Sequence, residues 1–256
     1  MDSWALVPEL VRSGAAQLPA PWEELFGPLR AAMVDDLMVI GQLGQSLDGR
    51  VATEAGHSHY INGATGLAHL HRLRALVDAV VIGVGTAIAD DPQLTVRRVE
   101  GPSPARVILD PNGRLPLTAR VLAADGIRRL VVTAKPRRDL PADVEVLPLA
   151  MTDGHIAPAA ILAALAVRGL RRILVEGGAN TVSRFLTAGC LDRLHIVVAP
   201  IILGSGPSSL ALAPIERVAQ AVPAPMRVHI LGEEVLLDCD LSAHRLPVAG
   251  RAKMST

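Results

Sequence analysis

Aromatic side chains are scarce in this chain of 256 residues, which holds two tryptophans, two phenylalanines and one tyrosine. Stacking nucleic-acid bases takes several exposed rings, so the composition argues against that mode of binding. Cysteine is as rare: Cys190 and Cys239 are too few for a disulfide framework, and no CxxC or zinc-type Cys/His spacing occurs. This usage fits a reducing cytoplasm. No charge of one sign dominates, because Lys+Arg and Asp+Glu number 25 each. A balanced surface exerts no general pull on nucleic acid or membrane, so any phosphate must be held by a few placed arginines. No window reaches the roughly 18 uncharged apolar residues of a membrane span. The start, MDSWALVPEL, places Asp2 where a secretory signal would place basic residues. The motifs GxSxG, GxxxxGK[ST] and GxGxxG are also missing, as is any Cys–His nucleophile pattern.

What is present is a large apolar fraction, 50% of residues, enough for one substantial α/β core with an extension. Residues 1–35 carry both tryptophans and Pro8, Pro19, Pro21 and Pro28. They read as an N-terminal extension that packs on the main domain or forms a partly ordered tail, with a short helix starting after Pro21. The main domain is expected over residues 36–245 and a tail over 246–256. Within it LMVIGQ (37–42), AVVIGVG (79–85), RVILD (106–110), RLVVT (129–133), VEVLP (144–148), RRILVEGG (171–178) and LHIVVAPIILG (194–204) read as strands. Helices are expected at 62–77 with Asn62 as N-cap, at 157–168 and at 179–188. Residues 226–241 read as two antiparallel strands around Gly232-Glu233. The alternation predicts an α/β fold with a mixed, mostly parallel sheet flanked by helices and ending in a hairpin. Ligands of such sheets sit at the carboxyl ends of the strands, here in the loops 44–50, 85–97, 110–114, 176–180 and 204–206.

Two glycine turns among these loops carry chemistry. Glu176-Gly177-Gly178-Ala179-Asn180 follows a strand and opens a helix, where backbone amides and the helix dipole suit a phosphate. A plain strand-to-helix turn would look the same. GVGTAIADDPQLTVR (83–97) joins a glycine turn to adjacent carboxylates, Asp90 and Asp91, and to Arg97. Such carboxylates commonly only shape a turn, but one facing the cleft would accept hydrogen bonds from a hydroxyl. Arg74 and Arg97 are suited to bidentate phosphate contacts. The pairs His57/His59 and His69/His71 raise a metal site, but i,i+2 side chains diverge on a helix, and no metal is assigned. A cleft for phosphates and ribose without a nucleophile fits hydride transfer, in which a cofactor carries the hard chemistry.

The segments SLDGR (46–50), LRA (73–75), GVGTAIADDPQLTVR (83–97), RVILDPNGR (106–114), ILVEGGANTVSRFLTAGCLDRL (173–194) and VVAPIILG (197–204) together resemble the riboflavin-biosynthesis pyrimidine reductase family. This is the reductase half of the bifunctional deaminase–reductase RibD, and the resemblance implies a dihydrofolate-reductase-like fold. It implies NADPH-dependent reduction of 5-amino-6-(5-phosphoribosylamino)uracil, with NADH not excluded as cofactor, and a homodimer. Gly44, Thr86, Asp90, Arg114 and the turn Gly177, Gly178, Ala179, Asn180 and Thr181 then match cofactor-contacting positions. Gln42, Ser58, Tyr60, Arg74, Leu94, Arg97 and Glu176 match substrate-contacting positions. Asp90 and Glu176 are the carboxylates to test for catalysis. Three positions depart from the family pattern: Gln42 replaces a lysine, Tyr60 stands where some relatives have tryptophan, and Pro111 replaces a serine. Pro111 offers neither hydroxyl nor N–H to a 2′-phosphate and leaves Arg114 as a contact. Gln42 motivates an alternative, a paralogous reductase of another phosphoribosyl or pteridine-like substrate; a non-catalytic nucleotide-binding protein is a further one. The deaminase's zinc signature, H-x-E followed by P-C-x-x-C, is not found, which points to a stand-alone reductase.

Overall fold

The apolar runs become the strands of a nine-stranded sheet in a computed structural model that describes residues 3–14, 17–30, 34–58 and 61–248. The strands are β1 (Met38–Gln45), β2 (Ala79–Gly83), β3 (Ala105–Leu109), β4 (Arg129–Thr133) and β5 (Val144–Pro148), then, after a small separate hairpin of β6 (Met151–Thr152) and β7 (His155–Ile156), β8 (Arg172–Glu176), β9 (Arg193–Val198), β10 (Met226–Leu231) and β11 (Glu234–Asp240). Their order is β10-β11-β9-β1-β8-β2-β3-β4-β5. The seven strands from β9 to β5 run parallel, and β11 and β10 add antiparallel pairs at one edge. The fold is therefore α/β with a mixed, mostly parallel sheet.

Among the described residues six α-helices accompany the sheet: α1 (Val7–Ser13), α2 (Trp22–Phe26), α3 (Ala64–Leu76), α4 (Val84–Asp90), α5 (Pro158–Ala166) and α6 (Ala179–Thr187). Phe26 and Leu73 share one core with Ile40, Val80 and Leu174, whereas Leu162 and Phe185 share another with Val39, Val81 and Val175. Adjacent strand residues thus point into opposite cores, and burial on both faces explains runs without polar alternation. N-terminal side chains complete the first core. Phe26 stacks on His69 with ring centroids 5.7 Å apart, and the Arg72 guanidinium lies 4.6 Å from the centre of the Trp22 ring.

Several expectations need correction. AVVIGVG does not remain extended to residue 85: α4 begins at Val84, immediately after β2. The run 194–204 leaves the sheet after Val198. Asn62 is not the cap of α3, whose N-cap is Gly63. Its side chain donates instead to the Val197 carbonyl and to Glu234. The best-buried side chains of α3 also include His69, His71 and Arg74, not only leucines. The cause lies in the sheet beneath, where Glu176, Gln42, His195 and Asp238 stand in register across β8, β1, β9 and β11. These four buried polar side chains form a row on the α3 face, and α3 carries polar partners to meet it.

The start of α3 is held by Glu234, the first residue of β11. Its carboxylate accepts hydrogen bonds from the Gly63 and Gly66 amides, the Thr65 hydroxyl and the Asn62 amide at 2.7–2.9 Å. A remote carboxylate here takes the place of a local cap, with helix-dipole attraction added. Glu234→Ala would leave these donors without an acceptor. We expect a loss of about 2–4 kcal/mol in urea unfolding, more than a surface cap is worth. A change below about 0.5 kcal/mol would contradict this role.

Candidate active site at the carboxyl ends of the parallel strands

The turns after β2 and β8 interlock through glycines. A Cβ on Gly178 would stand 2.7 Å from the Thr86 hydroxyl, and one on Gly83 would stand 2.7 Å from the Thr181 hydroxyl. Gly177 and Gly178 both take positive φ, 66° and 57°, which disfavours any side chain there. The result is a concave backbone surface where Ala179, Asn180 and Thr181 open α6. Gly178 is the N-cap and no side chain caps the helix. The Thr181 amide turns back to the Gly178 carbonyl at 2.9 Å, and the amides of Ala179 and Asn180 ahead of it are suited to an anion.

Glu176 ends β8 immediately before this cradle and is buried. Both of its oxygens accept from the Arg74 guanidinium, at 2.5 and 2.8 Å, and the remaining Arg74 nitrogen donates to the Thr95 carbonyl at 3.1 Å. Arg74, expected to meet the substrate phosphate, lies in this cleft with its guanidinium on Glu176. Its guanidinium is turned inward and all three nitrogens are engaged, because a buried carboxylate requires a cation. Three residues earlier on α3, one turn away, His71 Nδ1 accepts the Arg97 backbone amide at 2.9 Å. Burial, followed by the charges of Arg74, Arg97 and Arg98, lowers the His71 pKa to about 3, so the ring is neutral near pH 7.

Arg97 itself is exposed, and its side chain donates to the Thr95 hydroxyl at 2.6 Å. Its pKa is lowered first by desolvation and then by Arg74, Arg120 and Arg98. Glu176, paired with Arg74, acts in the opposite sense. The loop carrying Arg97 is strained: Asp91 has φ 38° and Leu94 has φ 57° although Leu94 is fully buried. Such outliers concentrate at ligand sites.

The other expected residues fall around this cleft. Ser58 Oγ lies 3.4 Å from Asp90, whose carboxylate is exposed and has no cation partner among the described residues. Gln42 is buried beside Glu176 in the polar row beneath α3. Gly44 has an immediate structural reason, since a Cβ there would collide with Asn62. Arg114 is exposed and only its backbone amide is engaged, on Asp110. Tyr60, like His59, lies outside the described residues. Asp48 of SLDGR clamps two loops: it accepts from the Leu203 and Gly204 amides and from Ser46, which lowers its pKa to about 2.

The sequence reading missed His71 as the support of Arg97, although its i,i+3 spacing to Arg74 places both on one helix face. It also missed Arg98 and Arg120 as members of the cation cluster. Arg98 adjoins Arg97 and was open to view; Arg120 arrives from a separate segment and carried no local signal.

Fold and site together define an α/β protein with a polar, glycine-rimmed cleft at the carboxyl ends of its parallel strands. The chain belongs to the RibD C-terminal domain family, whose model matches residues 38–227. Among curated proteins it is 33% identical over 213 residues to the 2,5-diamino-6-ribosylamino-4(3H)-pyrimidinone 5′-phosphate reductase of Methanothermobacter thermautotrophicus, covering 78% of this chain and 96% of that protein. The reductase of the same name from Archaeoglobus fulgidus is 34% identical over 179 residues, covering 65% of this chain and 81% of that protein. Both are oxidoreductases by their reaction. Among solved structures, RibD of Acinetobacter baumannii matches with a TM-score of 0.73 and 30% identity over 85% of this chain. The match spans 62% of that longer protein, less than two thirds of its length.

The histidines give the site a stability signature in pH. Burial lowers the pKa of His69 as well, well below 6.5, with the neighbouring His195 adding to the effect. Unfolded, both rings would take up protons below about pH 6.5, whereas folded they resist. Stability is therefore expected to fall as pH drops from about 7 to 5, by roughly 1.4 kcal/mol per pH unit for each ring. Urea midpoints across this range test it, and His71→Asn should shallow the slope. A wild-type midpoint that does not move would refute the neutral-histidine reading.

Proposed function

We propose that this chain is an NADPH-dependent reductase of a ribosylamino-pyrimidine 5′-phosphate. The observation that carries this reading is the position of Glu176, with an uncapped glycine cradle on one side and the Arg97 cluster on the other. The cradle fits a dinucleotide: its glycines leave no Cβ to fill it, and the open amides of α6 suit a pyrophosphate. Gly177 to Thr181, Thr86, Gly44 and Asp90 would hold this cofactor. When bound, the reduced nicotinamide supplies a hydride.

The substrate reacts as the ring-opened imine. A new C–H bond forms at C1, the C=N electron pair moves onto nitrogen, and a proton from solvent completes the amine. Arg97, with Arg98 and Arg120, would bind the 5′-phosphate. Ser58, Tyr60, Gln42 and Leu94 would line the substrate. Glu176, held by Arg74, offers its remaining lone pairs to substrate N–H or O–H groups. Asp90, exposed and without a cation partner among the described residues, is the better-placed carboxylate to pass the proton. Residues 36–245 would form the reductase unit, with the described residues of the segment before it packing on its α3 face; the expected tail over 246–256 lies, from residue 249 on, outside the described residues.

The archaeal relatives favour the diamino substrate over the deaminated uracil form, because they match this chain over most of their own length. A cytoplasmic location accompanies this reading, in keeping with Cys190 and Cys239, both unpaired and buried. Among the described residues no helix is long and apolar enough to cross a membrane.

A second copy of the chain would cover the sheet edge at β10. There Met226, Val228 and Ile230 are 56–72% exposed on an unpaired strand, an arrangement that invites association. Sedimentation should give a dimer that Ile230→Lys weakens, and a monomer at all concentrations would refute it.

Loss of the reduced cofactor's absorbance, followed with each pyrimidine, tests the activity. Turnover of the diamino compound is expected. Binding of NADPH without turnover of either pyrimidine would instead favour a paralogue acting on another substrate, as Gln42 suggests. Arg97→Ala should raise the substrate KM by roughly ten- to hundredfold and leave the NADPH Kd nearly unchanged. Equal loss of both would contradict the placement.

A further inference from the structure

Beyond Arg97 the loop that hangs from α3 meets a second support, the N-terminal segment ahead of β1. The buried Trp4 donates its indole Nε1–H to the Glu100 carbonyl at 2.7 Å, across 96 positions of sequence. The backbone comes closest at the next residue. A Cβ on Gly101, at φ 143°, would stand 2.6 Å from the Ala75 Cβ of α3 and 3.6 Å from the Pro8 Cγ of α1. Arg12, in the last turn of α1, donates to the Ala75 carbonyl at 3.1 Å. Val96 and Val99 pack against the core that holds Trp4, Val7 and Val11. The loop is therefore wedged between α1 and the C-terminal end of α3.

Trp4 is itself fixed by its neighbours. Its ring meets Trp22 and Phe26 edge-on, with centroids 5.2 and 5.6 Å apart, and the Arg72 guanidinium lies 5.5 Å from its centre. Packing alone would be served by another large apolar side chain. The indole N–H adds one directional contact, and its acceptor lies three residues from Arg97. Backbone groups along this loop are thus held in turn at 2.7–3.1 Å: the Thr95 carbonyl by Arg74, the Val96 amide by Ser103, the Arg97 amide by His71 and the Glu100 carbonyl by Trp4. Of these partners, Trp4 is the one that precedes β1.

We propose that Trp4 is a positioning residue for substrate binding: through the Glu100 carbonyl, the N-terminal segment fixes the loop on which Arg97 meets the 5′-phosphate. This rests on the reductase reading. Without the contact the loop keeps its anchors up to Arg97 and loses the one beyond it, so the guanidinium is less well organised in advance for a phosphate. The glycine cradle is built from the turns after β2 and β8, on the other side of Glu176, and should not register the change.

Trp4→Phe tests this, because it keeps an aromatic ring in the core and removes the N–H. The substrate KM should rise roughly three- to tenfold, the worth of one neutral hydrogen bond, with kcat and the NADPH Kd unchanged within about twofold. Added to Arg97→Ala, the same change should leave KM unmoved, because the loop then has no guanidinium to place. A KM that Trp4→Phe moves by less than about twofold, or raises equally with and without Arg97, would overturn the positioning role and leave Trp4 a packing residue. These outcomes presuppose turnover by the wild type. A wild type that turns over neither pyrimidine would overturn the reductase reading, and this inference with it.

Discussion

The bidentate contact between Arg74 and Glu176 is the constraint on which the rest of this structure depends. Both groups are almost fully buried, and an ion stripped of water without its partner costs about 3–5 kcal/mol. That is a large share of the roughly 5–15 kcal/mol that a domain has in total. Glu176 cannot move without Arg74, and Arg74 is fixed to α3. The helix is in turn tied to the sheet by His69, whose Nε2 lies 3.0 Å from His195 Nδ1, and by Glu234 at its first turn. Three polar contacts along one helix set its height and rotation over the sheet more sharply than leucines would, because hydrogen bonds are directional and hydrophobic burial is not.

The cleft inherits its geometry from that helix. His71 carries the Arg97 backbone and Arg74 carries the Thr95 carbonyl, so the loop of residues 91–97 hangs from α3 at two points. The loop is held in a conformation it would not choose. A left-handed leucine costs roughly 1–2 kcal/mol, and burying the Leu94 side chain returns about the same. The strain is thus balanced locally.

Strands were legible in the sequence because a parallel sheet covered on both faces needs unbroken apolar runs. The hairpin at Gly232 was legible from its turn. The segment GVGTAIADDP hid α4, since glycines and adjacent aspartates read as a turn and seven residues are too few to show a helical period. Asn62 failed as a cap for a different reason: the acceptor that satisfies α3 is Glu234, more than 160 residues away, and no local pattern reports such a partner. The same holds for Arg74. Its presence in the cleft was readable, but whether an arginine is free or engaged depends on which carboxylate the fold brings to it.

At Gln42 that distinction decides which arginine meets the ligand. Gln42 stands in register between Glu176 and His195 in the buried polar row, where the family pattern has a lysine. A lysine there would give Glu176 a second cation and let Arg74 share itself with a ligand. A neutral glutamine leaves Arg74 as the cation paired with Glu176, and withdrawing it would strand a buried carboxylate. In the proposed reading a substrate phosphate would then be met by groups outside the row, and Arg97, exposed on the loop that α3 holds, is placed to meet it. On that reading a single uncharged side chain in the sheet would keep Arg74 on Glu176 and leave anion binding to the loop that the helix holds.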